Sequence, residues 1–263
     1  MDRTQLADAY LQALGLEREE PSAEFLERIT MRHVDRIPFS SIGPRLGDDL
    51  PLDLGSLHDR LIVRHRGGYC FEQNRLAFEM LDELGFDMRR YLARVVYGGD
   101  PAPPLTHRVS IATVEGEQFV VDVGFGGIGP LAPIPLRGPD PEPTWRAFRI
   151  TWPSPSRLQV EAERRGTFIP LYTVDLVDYT EADCELGHFY SHRHPDALFV
   201  NHLVVMRTAV GEVRSLSDRS FMVLRPAGDQ REEIESAERL HEVLTDAFGL
   251  EVTDDEARRL FAG

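Results

Sequence analysis

The hydrophobic period of this chain changes once, near residue 90, and that change constrains the fold more than any other feature. Before it, leucines and alanines recur at helical spacing over Gln5–Leu16, Ser22–His33, Leu57–His65 and Cys70–Leu84. Ser22, with Glu24 in the turn behind it, reads as an N-cap, and Gly85 stands where a helix closes on a left-handed residue. After it, short runs rich in Val, Ile and aromatics are bounded by Gly and Pro: YLARVVYG (91–98), HRVSIATV (107–114), QFVVDVGF (118–125), AFRITW (147–152), RLQVEA (157–162) and IPLYTVDL (169–176). Pro-rich turns fall at 130–143 and 153–155. Residues 181–263 mix a polar His-rich segment, two strand-like runs at 202–210 and 220–226, and a helical stretch from Glu232 to Phe248. Helices segregated ahead of strands predict an α+β protein with a mainly antiparallel sheet or small barrel, not a doubly wound α/β fold.

Composition narrows the setting. The formal net charge of -15, with no Lys/Arg-rich run, argues against a nucleic-acid binder. The N-terminus lacks the basic and apolar regions of a signal peptide, and no apolar run approaches the length of a membrane span. Two cysteines, Cys70 and Cys184, are too few for a disulfide framework. The expectation is a soluble, cytoplasmic protein in which Cys70 stays a free thiol.

Cys70 follows Gly67, Gly68 and Tyr69 and opens a helical pattern in which Phe71, Phe78, Leu81 and Leu84 share a face while Glu72, Arg75, Glu79 and Asp82 point elsewhere. A thiol in a first helical turn sits beside unpaired N–H groups and the positive end of the helix dipole, which favours thiolate and can hold an oxyanion. A cysteine can equally serve as a small buried hydrophobe.

A nucleophile needs a base, and the base needs an orienting group. Residues 106–127, THRVSIATVEGEQFVVDVGFGG, offer both. Glu115-Gly116 reads as a two-residue hairpin loop, so opposed residues sum to 231 and Val114 faces Glu117. His107 and Asp122 then lie on one face as diagonal neighbours, about 7–8 Å apart at the backbone. A three-residue loop would turn them to opposite faces. An aspartate in an apolar run also calls for a partner.

RGGYCFEQN (66–74), followed by THRVSIA (106–112) and FVVDVGFGG (119–127), resembles the arylamine N-acetyltransferases, with Cys, His and Asp in that order and each in its local pattern. IPF (37–39), GFDMRRYLARVV (85–96), IPLYTVDL and SHRHPDALF (191–199) extend the likeness over roughly residues 37–199. The resemblance implies a helical bundle over 1–86 carrying Cys70, a β-barrel domain over 87–190 carrying His107 and Asp122, and a short C-terminal α/β lid over 191–263, around a core similar to that of cysteine proteases. It implies Cys70 as nucleophile, His107 as general base and Asp122 as its orienter. It further implies acetyl-CoA as co-substrate, no metal, and an arylamine or hydrazine acceptor. Phe39, Phe125 and Phe199 would line the pocket above the thiol, and Thr106, Gly126 and Gly127 would lie by the coenzyme. Two departures bear on substrate preference and leave the triad untouched: Ser40-Ser41 stands where the family has Glu-Asn, and the C-terminus is short.

Two other features carry weaker chemistry. CELGHFYSHRH (184–194) would place Cys184, His188 and His192 on one helical face as zinc-like ligands, but Gly187, Ser191 and Pro195 argue against a continuous helix, and the resembling family holds no metal there. GFGGIGP (124–130) could bring backbone N–H groups to a phosphate, yet a proline and no helix follows, and a plain turn serves equally. Acetyl transfer to an arylamine therefore stands beside amide synthesis from an acyl thioester and an aromatic amine in macrolactam formation, because both begin with Cys70 attacking a thioester. The RGGYC context disfavours a cysteine protease or transglutaminase-like enzyme, and the Cys, His and Asp together disfavour a non-catalytic binding module.

Overall fold

Oxygen-bearing caps open the first two helices. In this computed structural model, which describes residues 1–99, 102–138 and 146–263, Asp2 accepts from Gln5 N–H at the start of α1 (Arg3–Leu14). Ser22 accepts from Phe25 N–H at the start of α2 (Ala23–Arg36), as expected. That helix runs past His33, which is on its buried face, and stops where Ile37 precedes Pro38. A two-residue strand β1 (Phe39–Ser40) and the short α3 (Ile42–Leu46) follow. The helix expected over 57–65 is wound differently: α4 (Leu54–Leu57) passes into a π-helical turn, His58–Val63. Next, α5 (Cys70–Glu83) begins at Cys70 itself and closes at Gly85, whose φ is +95°. Leu11, Phe25, Leu26, Leu76 and Met80 pack these helices together and against Val114 and Phe119 of the sheet beyond.

Seven antiparallel strands follow: β2 (Asp87–Val95), β3 (Leu105–Val114), β4 (Glu117–Val121), β5 (Ile134–Pro135), β6 (Phe148–Ser154), β7 (Arg157–Arg164) and β8 (Thr167–Asp175). Their order is β5-β4-β3-β2-β8-β7-β6, and β5 lies against β6, so the sheet nearly closes into a barrel. Val109, Ile111, Val160, Leu171 and Val174 fill it. Within the Pro-rich stretch 130–143, β5 was not foreseen, and 139–143 lie outside the described residues. The β3–β4 loop is the two-residue turn, with positive φ at both Glu115 (55°) and Gly116 (82°). The ladder runs from Val114 opposite Glu117 to Ser110 opposite Val121, the expected register.

The remaining segment holds α6 (Glu181–Arg193), α7 (Leu198–Asn201), β9 (Val204–Ala209), β10 (Glu212–Ser217), β11 (Ser220–Leu224), β12 (Gln230–Glu233), α8 (Ala237–Glu242) with a π-helical turn Val243–Ala247, and α9 (Asp254–Ala262). The second sheet has the order β1-β9-β10-β11-β12, with Ser40 opposite Val205, so the segment after α2 is an edge strand here. In this segment expectation and structure part in three further ways. First, α6 is continuous through Gly187 and Ser191. Gly187 is there for close packing: a Cβ would sit 2.6 Å from Leu105 O and 2.8 Å from Phe71 Cζ. Second, the helix expected from Glu232 starts at Ala237 on the Ser236 cap, because Gln230–Glu233 pairs with β11. Third, α7, β10 and α9 add to the expected elements; α9 carries a Thr253–Glu256 capping box. No helix among the described residues is long and apolar enough to cross a membrane.

Candidate active site

Cys70 is the first residue of α5 and is 4% exposed. The first intrahelical bonds come from Glu72 and Gln73 N–H to Tyr69 O, so the N–H groups of Cys70 and Phe71 lie ahead of the ladder. Its Sγ is 3.6 Å from Thr106 O. That carbonyl is presented by a β-bulge: β2 pairs Ala93 with His107 and Arg94 with Leu105, leaving Thr106 as the extra residue of β3.

His107 follows the bulge. Its Nε2 lies 2.7 Å from Asp122 Oδ2, which joins the diagonal pair anticipated from the hairpin register. Strand β4 ends at Val121, earlier than expected, because the chain leaves β3 there to meet α5. Asn74 Nδ2 donates to Asp122 Oδ1 at 2.9 Å and to Arg108 O at 2.6 Å, while Val123 N–H donates to Asn74 Oδ1 at 3.0 Å. Gly124 N–H gives Asp122 Oδ1 a second donor at 3.0 Å. Gly124 can be no larger, since a Cβ would lie 2.8 Å from Cys70 Cα. The imidazole is walled by Phe125, edge-on at 5.3 Å between centroids, and by Tyr172 at 5.1 Å.

Burial alone would lower the His107 pKa; the Asp122 carboxylate and then Cys70 overcome it and raise the ring to about 10. Asp122, for which burial acts upward, is held below its ordinary value by His107, Asn74 and Gly124 N–H. The two directions agree: an ionised carboxylate faces a protonated imidazole. Tyr172 is fully buried beside the carboxylate, outside hydrogen-bonding geometry, and burial together with that negative charge keeps its phenol protonated. With Nε2 committed to Asp122, Nδ1 is the ring atom left for the thiol.

The loop before Cys70 rests on buried polar groups. Gln73 Nε2 donates to Ile37 O, Pro38 O and Gly68 O, and Gln73 Oε1 accepts from His33 Nε2 at 2.5 Å; His33 Nδ1 accepts from Tyr10 OH at 2.7 Å. Glu72, which helical periodicity turned outward, is buried instead, accepts from Tyr69 N–H and pairs with Arg60. Tyr69 OH donates to His188 Nδ1, and His188 Nε2 donates to Leu50 O. Cys184, His188 and His192 do share the inner face of α6, but His188 spends both ring nitrogens on Tyr69 and Leu50 and stacks on His192. Among the described residues no three metal-ligating side chains are grouped to hold an ion.

A cleft of about 780 Å³ opens over Cys70 and His107, and Phe39, Phe125 and Phe199 all line it. Phe39 and Phe199 meet at 5.3 Å between centroids. Thr106 and Gly127 also lie on its wall; Gly126 does not, and faces Phe39 and Met206. The glycine-rich loop offers fewer donors than its sequence suggests. Gly127 N–H donates to Met206 Sδ at 2.8 Å and Gly129 N–H to Gly126 O at 2.7 Å. Ser41 Oγ donates to His202 O and accepts from Val204 N–H, so the Ser40-Ser41 pair stitches β1 to the segment behind Phe199.

A family profile described as N-acetyltransferase matches residues 22–257. Arylamine N-acetyltransferase of Mycolicibacterium smegmatis is 33% identical over 253 residues, covering 93% of this chain and 92% of that protein. The solved arylamine N-acetyltransferase of Salmonella typhimurium superposes with a TM-score of 0.92 at 28% identity, covering 98% of both chains. That of Mycobacterium marinum, solved in complex with CoA, superposes with a TM-score of 0.91 at 28% identity, covering 97% of this chain and 98% of that one.

Proposed function

Because the chain belongs to the arylamine N-acetyltransferase family, we propose that it moves an acetyl group from acetyl-CoA to an arylamine or arylhydrazine through a thioester on Cys70. The observation that carries this is that Cys70 and His107 share the wall of a largely apolar cleft, with the buried Asp122 bonded to His107 from behind.

His107 Nδ1 already holds the proton of the Cys70 thiol, as in the ion pair of cysteine proteases, and the Asp122 carboxylate stabilises the imidazolium. The Cys70 thiolate attacks the acetyl carbonyl carbon, and the N–H groups of Cys70 and Phe71 receive the developing oxyanion. As the new C–S bond forms, the bond to the coenzyme sulfur breaks, and the imidazolium returns its proton to that sulfur. Once free coenzyme A has left, the aromatic amine attacks the acetyl-cysteine carbonyl, His107 accepts the amine proton, and Cys70 departs as the sulfur leaving group. An aromatic amine is neutral and nucleophilic at pH 7, so it enters an apolar cleft without a charge to desolvate. Phe39, Phe125 and Phe199 hold its ring, and Thr106 and Gly127 lie on the donor side.

In this scheme residues 1–86 supply the nucleophile, 87–190 the base and its orienter, and 191–263 the lid that brings Phe199. It needs a free thiol, hence a reducing compartment such as the cytoplasm. The test is intact-protein mass spectrometry after mixing with acetyl-CoA and no amine. One added acetyl group, mapped to Cys70 and absent from Cys70→Ser, is the expected result; label on Cys184, or none on folded protein, would overturn it.

A further inference from the structure

An acyl-CoA donor brings a diphosphate and a 3′-phosphate, and the glycine-rich loop has already spent the N–H groups of Gly127 and Gly129 within the protein. The cleft wall carries two carboxylates, Asp196 and Asp218, and Asp218 is itself engaged with His202 Nδ1 at 2.9 Å. Phosphates do not settle against such groups. The wall also includes Val95, Tyr97 and Pro104, and there the surroundings are cationic. Arg164 Nη1 donates to Tyr97 OH at 3.3 Å, on the exposed end of β7. Arg146, half-buried, lies close enough to feel both Arg164 and Tyr97. Burial and then the like charge of Arg164 hold its guanidinium below the usual range. Glu163, the carboxylate that also acts on Arg146, accepts from Gly166 N–H. In a chain with 44 acidic and 29 basic side chains, all of the latter arginines, two guanidinium groups whose charges act on one another, one of them bonded to a tyrosine of the cleft wall, stand out.

We propose that Arg164 and Arg146 are the phosphate anchor of the acyl-CoA donor, placing the coenzyme's charged end at the Tyr97 rim while its thioester reaches Cys70. Guanidinium groups suit this because their planar forks match phosphate oxygens, and a pair that repels when empty is relieved when an anion lies between. This rests on the acyl-CoA reading of the cleft.

The experiment compares three thioesters with the full-length parent, Arg146→Gln, Arg164→Gln and the double variant. These are acetyl-CoA, acetyl-dephospho-CoA and S-acetyl-N-acetylcysteamine, which has no phosphate; the readout is kcat/KM for acetylation of Cys70. Arg18→Gln, paired with Asp8 far from the cleft, controls for net charge. Each single variant should lose about five- to tenfold with acetyl-CoA, less in high salt, and nothing with the cysteamine thioester. A smaller loss with acetyl-dephospho-CoA assigns the arginines to the 3′-phosphate, and an equal loss assigns them to the diphosphate. Equal losses with the phosphate-free donor, or variants indistinguishable from a parent that all three thioesters acetylate, overturn the anchor alone. A folded parent that no thioester acetylates overturns the acyltransferase assignment and the anchor with it.

Discussion

Asn74 Nδ2 lies 2.9 Å from Asp122 Oδ1, so the helix that presents Cys70 also fixes the carboxylate that holds His107. Cys70 and Asn74 are four residues apart, one turn along the same face of α5. The amide leaves only Oδ2 for the imidazole. It also ties Val123 and Arg108, the neighbours of the two barrel residues of the site, to the same side chain.

Asn74→Ala should therefore lower turnover well beyond its effect on folding. Removing three buried hydrogen bonds costs about 1–3 kcal/mol of stability, visible as a lower urea midpoint. The acylation rate should fall by about tenfold or more, because Asp122 Oδ1 then keeps only the Gly124 N–H and Oδ2 is held less firmly on Nε2. Asn74→Asp should be worse, since a second carboxylate beside Asp122 raises the pKa of the pair. Variants that lose stability while keeping the parent's acylation rate would show Asn74 to be structural only.

Asp122→Asn isolates the electrostatics. In the parent, His107 is raised to about 10, so its contribution to stability is complete below pH 6.5 and is lost as pH rises through about 10. Without the carboxylate, burial dominates, and the ring should lose its proton below the ordinary histidine value. Histidine ring NMR titration should find His107 charged through neutral pH in the parent and neutral in the variant. Turnover should drop on the order of a thousandfold. A His107 resonance that titrates alike in both proteins would break the assignment of the pair.

Much of this site was legible because strand periodicity is strict. A two-residue loop at Glu115-Gly116 fixes which face every residue of β3 and β4 takes, and His107 and Asp122 followed from counting. Cys70 at a helix start was legible from Gly67-Gly68 and the apolar period behind it. Asn74, Gln73 and Tyr172 were not. A polar side chain in an amphipathic helix reads as solvent-facing, and only tertiary packing turns Glu72, Gln73 and Asn74 inward together. Three consecutive polar residues beginning two positions after a candidate nucleophile were the available signal. The bulge at Thr106 left no mark in composition, because it is a property of the pairing with β2. Gly187 misled for a related reason: it reads as a helix breaker, whereas the close approach of Leu105 and Phe71 is what requires it.

Buried neutral histidines set the acid limit. Burial pushes His33 down to about 4 and His188 to about 3, from 6.5. Below pH 6.5 the unfolded chain binds protons that the folded chain refuses. Their contribution is therefore complete above 6.5 and is lost as pH falls toward 4 and 3. For His33 this is on the order of 3 kcal/mol. Urea unfolding of the parent and His33→Gln, followed from pH 7.5 to 4.5, should show the variant losing less stability as pH drops, by up to one proton's slope. Parallel curves would mean that His33 does not titrate differently in the two states.

Acceptor binding is best probed at Phe199. Phe125 stands edge-on to His107, so Phe125→Ala disturbs the base as well as the pocket and should slow both halves of the cycle. Phe199 touches Phe39 and Tyr69 instead, at 5.3 and 5.8 Å between centroids, and leaves the imidazole alone. Phe199→Ala should spare acetylation of Cys70 and slow its deacetylation by aniline-type and hydrazine acceptors about tenfold, through lost ring contact and orientation over the acetyl carbon. Single-turnover experiments separate the two halves. If both halves fall together in a folded Phe199→Ala, the residue shapes the site as a whole; if neither changes, the acceptor ring lies elsewhere in the cleft, and Phe39 becomes the next side chain to trim.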